Sequence, residues 1–296
     1  MRGGSLGNDG PLVSILTPSY NQAAWLRDTL TSVAAQTYAR VEHVVMDGGS
    51  TDGSVELLRR TPDVLWGSEP DRGQSHALNK AFAASAGEII GWLNSDDAYV
   101  DRAVVEDVVS CFQAHPEADV VYGHAVRADQ KGRVSHVLWI PPFSTWLLHW
   151  KCFLVQPAVF FRRAALGDCF LDERFQFAMD WELWLRLARS GTFHRLNRVL
   201  AIDRDQPGRK INTWQPVLET DRQRLATMYG IRLNPWYQRL GGFYELGLRL
   251  SGVTATLRLT NDLAFRGSLD PTVARAARQI AYRGRWEPDR RRRREA

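Results

Sequence analysis

The chain has 296 residues, 44% hydrophobic and 24% charged, which is enough apolar material for one large core and unlike the composition of a disordered or fibrous protein. It contains no apolar run of the about 18 residues that a transmembrane helix needs, and its first ten residues lack the apolar stretch of a signal peptide, so a cytoplasmic protein is expected. The net charge of +5 divides unevenly: residues 209–296 carry 18 Lys and Arg against 8 Asp and Glu, whereas residues 1–208 carry 20 against 25. Cys111, Cys152 and Cys169 are too widely spaced for a CxxC zinc or redox site and read as reduced packing residues.

From Leu12 to about Val126, short apolar runs alternate with helical periodicity, the pattern of βαβ units and a mostly parallel sheet flanked by helices. VSILTPSY (13–20) is the first predicted strand, and Asn21 opens a helix whose Leu26, Leu30, Val33 and Ala34 share one face. VEHVVMDGG (41–49) is a strand running into a glycine turn, followed by a short strand at 64–66 and a helix at 75–85 closed by Gly87. The apolar strand EIIGWLN (88–94) stops at Ser95-Asp96-Asp97, and a helix at 103–114 and a strand at 119–126 complete a nucleotide-binding half. Ligands of such open sheets sit at the carboxyl ends of the strands, where Asp47 and Asp96 fall. Residues 134–161 are rich in Trp, Phe and Leu, uncharged from Val134 to Trp150 and broken by Pro141-Pro142, which predicts strands plus a lid. A helix follows Met179, and from Gln215 onward the chain reads as helices, with Trp236, Leu240, Phe243, Tyr244 and Leu248 on one face.

Three groups of carboxylates stand out. Asp47 can accept hydrogen bonds from a base or a ribose, although Asp-Gly-Gly-Ser is also ordinary turn chemistry. Asp96 and Asp97 repel each other after a buried strand unless a cation or strong donors are present, and hard divalent ions take such oxygen ligands; a helix-capping Asp97 reads equally well. Asp180 and Glu182 at a helix start offer a general base, or acidic residues favoured by the helix dipole.

Taken together, VSILTPSYNQAAWLRDTLTSVAAQT, VVMDGGSTDGS, SEPDRGQSHALNKAFAASAGEIIGWLNSDD, QPAVFFRR and FAMDWELWLRLARSG resemble, in this order, the family 2 glycosyltransferases of GT-A fold, particularly bacterial members that build polysaccharides and glycolipids. The resemblance covers about residues 12–212. It implies a Rossmann-like, mostly parallel α/β sheet in a domain at 12–214, with a nucleotide-binding half at 12–126 and an acceptor half at 127–214. A flexible N-terminus (1–11), a helical C-terminal extension (215–289) and a basic tail (290–296) complete the division. It implies an inverting transfer from a UDP, GDP or dTDP sugar to a glycan or lipid-linked acceptor. Thr17, Pro18, Tyr20, Asp47, Asp71, Arg72, Asn94, Ser95 and Asp96 would hold the nucleotide-sugar, Asp97 and Asp96 would hold Mg²⁺ or Mn²⁺, and Asp180 would be the base. Gln156, Trp181 and Glu182 would shape the acceptor side. Two positions depart from the pattern: Asn94 opens the DXD element, and Gln206 replaces a His common before Pro-Gly, which leaves diphosphate contact to Arg209 or Lys210.

A nucleotidyltransferase also needs an acidic metal site, but Pro18-Ser19-Tyr20-Asn21 is not the glycine-rich basic signature expected after its first strand. A silent nucleotide-sugar-binding module would not require Asp47, Asp96, Asp97 and Asp180 together. The basic C-terminal segment carries no nucleic-acid recognition motif; its aromatic face reads first as a helix packed on the catalytic domain and its Arg290–Arg294 run as a solvated end, with peripheral contact with an anionic membrane, on the inner face of the plasma membrane, as the alternative use of its charge.

Overall fold

The computed structural model describes residues 10–130, 134–167, 169–206 and 215–231, and the sequence expectations for 235–250, Arg209, Lys210 and the basic tail lie outside these. In chain order the elements are β1 (Val13–Ser19), α1 (Ala23–Ala34), β2 (Val41–Asp47), α2 (Ser54–Arg59), β3 (Val64–Ser68), α3 (Gln74–Ala84), β4 (Ile89–Trp92), β5 (Ala98–Tyr99) and α4 (Val104–Ala114). Then come β6 (Val120–Ala128), β7 (Val134–Leu138), α5 (Thr145–Leu148), β8 (Val159–Arg162), α6 (Met179–Leu187), β9 (Phe193–Arg204) and α7 (Gln215–Tyr229).

All the strands join one sheet in the order β3-β2-β1-β4-β8-β6-β9-β5, with β7 also pairing with β6. Strands β1 to β4 are mutually parallel. Because β8 runs against both β4 and β6, and β9 runs parallel to β6, the strands β6 and β9 point the same way as β1 to β4. The carboxyl ends of these six strands therefore share one edge of the sheet, the edge where open α/β sheets bind ligands. Strand β5 returns antiparallel to β9, with Ala98 opposite Ile202, and so lays the turn before it against the end of β9.

Every residue of β1 is buried, as its central place requires. Helix α1 buries Leu26, Leu30 and Val33 of the predicted face, but Ala34 is exposed at its last turn and the buried side takes in Asp28, Thr29 and Ser32 instead. It begins at Ala23 rather than Asn21, because Asn21 takes a left-handed φ of 51° and its Oδ1 accepts the Thr51 N–H at 2.9 Å. The first turn of α1 is satisfied from outside instead, with Ala23 N–H donating to Asp52 Oδ2 at 2.8 Å. Leu225 of helix α7, placed by sequence in a C-terminal extension, and Ile231 just past its end join the same apolar cluster as Trp181 and Trp184 of α6.

Candidate active site

At the end of β2, Asp47 is buried and fully engaged. Its Oδ2 accepts from Gly49 N–H (3.1 Å), Ser50 N–H (2.8 Å) and Ser68 Oγ (2.7 Å), and its Oδ1 accepts from Ser50 Oγ (2.5 Å). These bonds shape the Gly48-Gly49 turn. Gly48 is approached by both the exposed Tyr20 ring and the Asp71 carboxylate: a Cβ at Gly48 would lie 2.6 Å from Asp71 Oδ2 and 3.2 Å from Tyr20 Cδ2. Asp71 is itself fixed by the Gly73 N–H, 2.8 Å from its Oδ1. Beneath, Thr17 and Pro18 are buried, and Thr17 Oγ1 lies 2.9 Å from Nε2 of His43, whose burial lowers its pKa to about 3 and keeps it neutral. The buried Ser19 Oγ at the end of β1 has no hydrogen-bond partner among the described residues.

At the end of β4, Asn94 is a hub. Its Oδ1 accepts from Gln74 Nε2 and Trp92 Nε1, both at 2.8 Å, and its Nδ2 donates to Gln156 Oε1 at 2.8 Å and Asp97 Oδ2 at 3.3 Å. Gln156, in turn, donates to the Trp92 carbonyl, so the segment leading into β8 is pinned beside Asn94. The buried Asp97 accepts the Arg204 N–H at 3.1 Å, and the Ser95 and Asp97 carbonyls share the Thr29 hydroxyl at 2.9 and 2.7 Å. Arg204 at the end of β9 completes the clamp: Nε donates to the Asp96 carbonyl at 3.0 Å, Nη2 pairs with the buried Asp28 at 2.8 Å, and the guanidinium lies 5.0 Å from the centre of the Trp25 ring.

Burial pushes the Asp97 carboxyl well above its usual range, and the neighbouring Asp96 and Asp203 carboxylates add to this against the Arg204 and Asn94 donors. Asp203 is likewise raised by burial and by Asp96 and Asp205, despite its 2.9 Å pair with Arg127. Asp96 is less enclosed and accepts from Gln206 Nε2 at 3.2 Å. Among the described residues no three His, Cys, Asp or Glu side chains form a ready-made ion cage. The chemistry nevertheless fits Mg²⁺ or Mn²⁺: hard oxygens carrying excess negative charge, one or two of which suffice when substrate phosphates complete the shell.

On α6, Asp180 is partly exposed, and its Oδ1 accepts the Trp181 N–H at 2.7 Å. Its Oδ2 lies 3.9 Å from the Cys152 thiol. Burial raises its pKa from 3.8 to about 6, against the lowering effect of the backbone N–H groups. Gln156 beside Asn94 is four positions, at most about 14 Å of chain, past Cys152 beside Asp180, so the base candidate and the acidic turn are tied by one short segment. Trp181 is buried and donates its Nε1–H to the Leu148 carbonyl at 2.7 Å.

Glu182 is two residues on, about 200° around the helix, and turns away from Asp180. It is buried against Arg186 (3.1 Å) and the Tyr229 hydroxyl of α7 (2.6 Å). Arg72 pairs with Glu173 at 2.7 Å. The residues that sequence reading passed over are Asp28, Arg204 and Asp221. Asp221 on α7 accepts the N–H groups of Gln176 (3.0 Å), Phe177 (2.7 Å) and Ala178 (3.0 Å) through one oxygen, and so holds the approach to Asp180.

The profile of glycosyl transferase family 2 matches residues 14–170. An uncharacterized glycosyltransferase of Mycobacterium tuberculosis is 34% identical over 185 residues, 60% of this chain and 69% of the relative. A PGL/p-HBAD biosynthesis glycosyltransferase of Mycobacterium bovis is 26% identical over 230 residues, 75% of this chain and 88% of the relative. Among solved structures, S. aureus TarS 1-349 with UDP-GlcNAc superposes with a TM-score of 0.59 at 18% identity, covering 84% of this chain and 76% of that one. The mannosyltransferase PcManGT of Pyrobaculum calidifontis, with GDP-Man and Mn2+, gives 0.54 at 20% identity, covering 81% of each chain. The sheet is thus the GT-A fold.

Proposed function

The chain belongs to glycosyl transferase family 2 and is a glycosyltransferase, and we propose that it inverts the donor sugar in a single displacement with Asp180 as the base. The observation that carries this reading is the Asp180 carboxyl, held at the start of α6 with a pKa raised to about 6 and linked through residues 152–156 to the acidic turn. A base is most effective when its pKa lies near the working pH.

In the proposed reaction the nucleotide lies over Gly48 between Tyr20 and Asp71, where a side chain would intrude. Asp47 acts through the Gly48-Gly49 turn that its carboxylate holds, the Ser19 hydroxyl offers a polar group beside it, and Arg72, Asn94, Ser95 and Asp96 border the nucleotide. Asp96, the more open of the adjacent pair, is the main metal ligand, while Asp97 is held inward by Arg204 and Asn94. Bound Mg²⁺ or Mn²⁺ supplies positive charge for the diphosphate as it departs. Arg209 and Lys210 take phosphate oxygens. Asp180 receives the proton of the acceptor hydroxyl as that oxygen bonds to the anomeric carbon, and the bond from that carbon to the diphosphate breaks with its electron pair leaving on the nucleoside diphosphate.

The donor is a UDP, GDP or dTDP sugar, a class supported by the UDP-GlcNAc and GDP-Man bound to the structural neighbours. The acceptor is a glycan or lipid-linked glycan on the side of Gln156 and Trp181. No helix among the described residues is long and apolar enough to cross a membrane. The basic residues of 209–296 would hold the enzyme peripherally at an anionic leaflet, at about 1 kcal/mol per Lys or Arg near the surface.

A panel of UDP, GDP and dTDP sugars, assayed for donor hydrolysis with Mg²⁺, with Mn²⁺ and in excess EDTA, tests the proposal. Turnover of one donor that EDTA abolishes and either ion restores is the expected result. Full turnover by protein shown to be metal-free would remove the metal from the mechanism, and inertness toward every donor would remove the nucleotide-sugar.

A further inference from the structure

The segment between β7 and β8 presents an aromatic pair that the reaction above does not use. Trp146 of α5 is 62% exposed, and the Trp150 ring lies 4.0 Å from it, centre to centre, tilted by 42°. The helix that carries Trp146 is only four residues long but is firmly placed: the Ser144 hydroxyl caps it by accepting the Leu147 N–H at 3.2 Å, and Leu147 and Leu148 are buried beneath. It is also joined to the base helix twice. The Leu148 carbonyl takes the Trp181 Nε1–H, and Cys152, two residues past Trp150, touches Asp180. Two residues of chain span at most about 7 Å, so the backbone of Trp150 lies within that reach of Cys152, which touches Asp180, and the Trp146 ring lies against that of Trp150.

We propose that Trp146 and Trp150 form a stacking platform for a pyranose ring of the acceptor, holding it so that a hydroxyl reaches Asp180. The proposal deepens the assignment of Asp180 as base and rests on it. A pyranose presents a face of C–H groups, polarised positively by the ring oxygens, to the negative face of an indole. The surroundings favour a sugar over a lipid surface. Insertion into a bilayer calls for a contiguous apolar patch, whereas the other exposed large apolar side chains among the described residues are Tyr20, Leu65 and Met228, on other elements. The neighbours of Trp146 in sequence are instead polar or inward-facing: Ser144, the exposed Thr145, Leu147 and Leu148. An aromatic face with a few polar groups beside it is the lining expected of a small-ligand site.

The test uses the full-length protein and saturation-transfer NMR with the methyl glycosides of glucose, galactose, mannose, rhamnose and N-acetylglucosamine at millimolar concentration. UDP and GDP with Mg²⁺ serve as the donor-side control, and sedimentation with anionic vesicles as the lipid arm. At least one glycoside should show saturation at its ring C–H groups, falling roughly tenfold in Trp146→Ala, largely retained in Trp146→Phe, and lowered again in Trp150→Ala, while nucleotide signals stay unchanged. Saturation indifferent to Trp146→Ala, or no glycoside signal in the wild type, would overturn the platform. Vesicle binding that depends on Trp146 without glycoside binding would overturn it in favour of a lipid contact. Trp146-dependent glycoside binding in a protein that binds neither nucleotide would uphold the platform and sink the donor assignment instead.

Discussion

Replacing Asp180 by Asn should abolish most turnover and at the same time stabilise the protein, because burial penalises the carboxylate proposed as the base. The fold raises this carboxyl from 3.8 to about 6. At 1.36 kcal/mol per pKa unit, that difference corresponds to about 3 kcal/mol; the residue is partly open to water, so a penalty of about 2 kcal/mol is expected in practice. A carboxyl with a raised folded pKa binds its proton more tightly when folded. Its favourable contribution is therefore complete below the unfolded pKa near 4 and lost as the pH rises through about 6. Asn carries no such dependence and keeps the carbonyl that accepts the Trp181 N–H. Urea unfolding of both proteins at pH 4, 5, 6 and 7.5 should show near-equal stability at pH 4 and an Asn variant more stable by about 2 kcal/mol at pH 7.5. Turnover should fall about 10²–10⁴-fold, the usual worth of a general base, with nucleotide affinity unchanged. A stability difference that is the same at pH 4 and pH 7.5 would refute the burial argument. Nucleotide affinity that collapses together with turnover would move Asp180 into the donor site.

Gly48→Ala places a methyl 2.6 Å from Asp71 Oδ2 and should weaken nucleotide binding by about tenfold without unfolding, as read by calorimetry with UDP and GDP; unchanged affinity would put the nucleotide elsewhere. Glu182→Ala removes the partner of Arg186 and Tyr229 and should cost about 1–3 kcal/mol in chemical denaturation. Its turnover per folded molecule should hold, and a selective loss of acceptor KM would return Glu182 to the acceptor side. Asp221→Ala strips one acceptor from three N–H groups, so a lower melting temperature and a lower kcat at unchanged nucleotide affinity are expected; wild-type kcat would show that this loop does not position Asp180.

The strand ends were legible because an apolar run stopping at a polar residue reports burial directly. β1, β2 and β4 lie where VSILTPSY, VEHVVMDGG and EIIGWLN place them, and Asp47 and Asp96-Asp97 stand at or just past their carboxyl ends. Helix α1 shows its predicted face at Leu26, Leu30 and Val33 but not at the exposed Ala34, and its first turn is satisfied by Asp52 from the loop after β2, which no local pattern announces. Strand β9 was not legible at all. Its run FHRLNRVLAIDR is broken by Arg195, Arg198 and Arg204, and charges ordinarily mark exposed chain. Here Arg198 is paired with Asp101 and Asp107, and Arg204 with Asp28, so the charges are buried with their partners.

What the sequence determined by itself was the class of the fold, the family, and the carboxylates at the strand ends, since apolar periodicity records which residues face inward and family motifs record which chemistry was kept. Only the tertiary structure decided how those groups are held. Periodicity contains no information about which elements pair, so the parallel run of β9 beside β6, which delivers Arg204 to the Asp96-Asp97 turn, could be seen only in the assembled sheet. The same holds for Asp180 and Glu182. In sequence both were acidic residues of one helix start; that Asp180 meets Cys152 follows from the packing of the segment after α5 on α6, and that Glu182 is sealed against Tyr229 follows from the docking of α7 on α6.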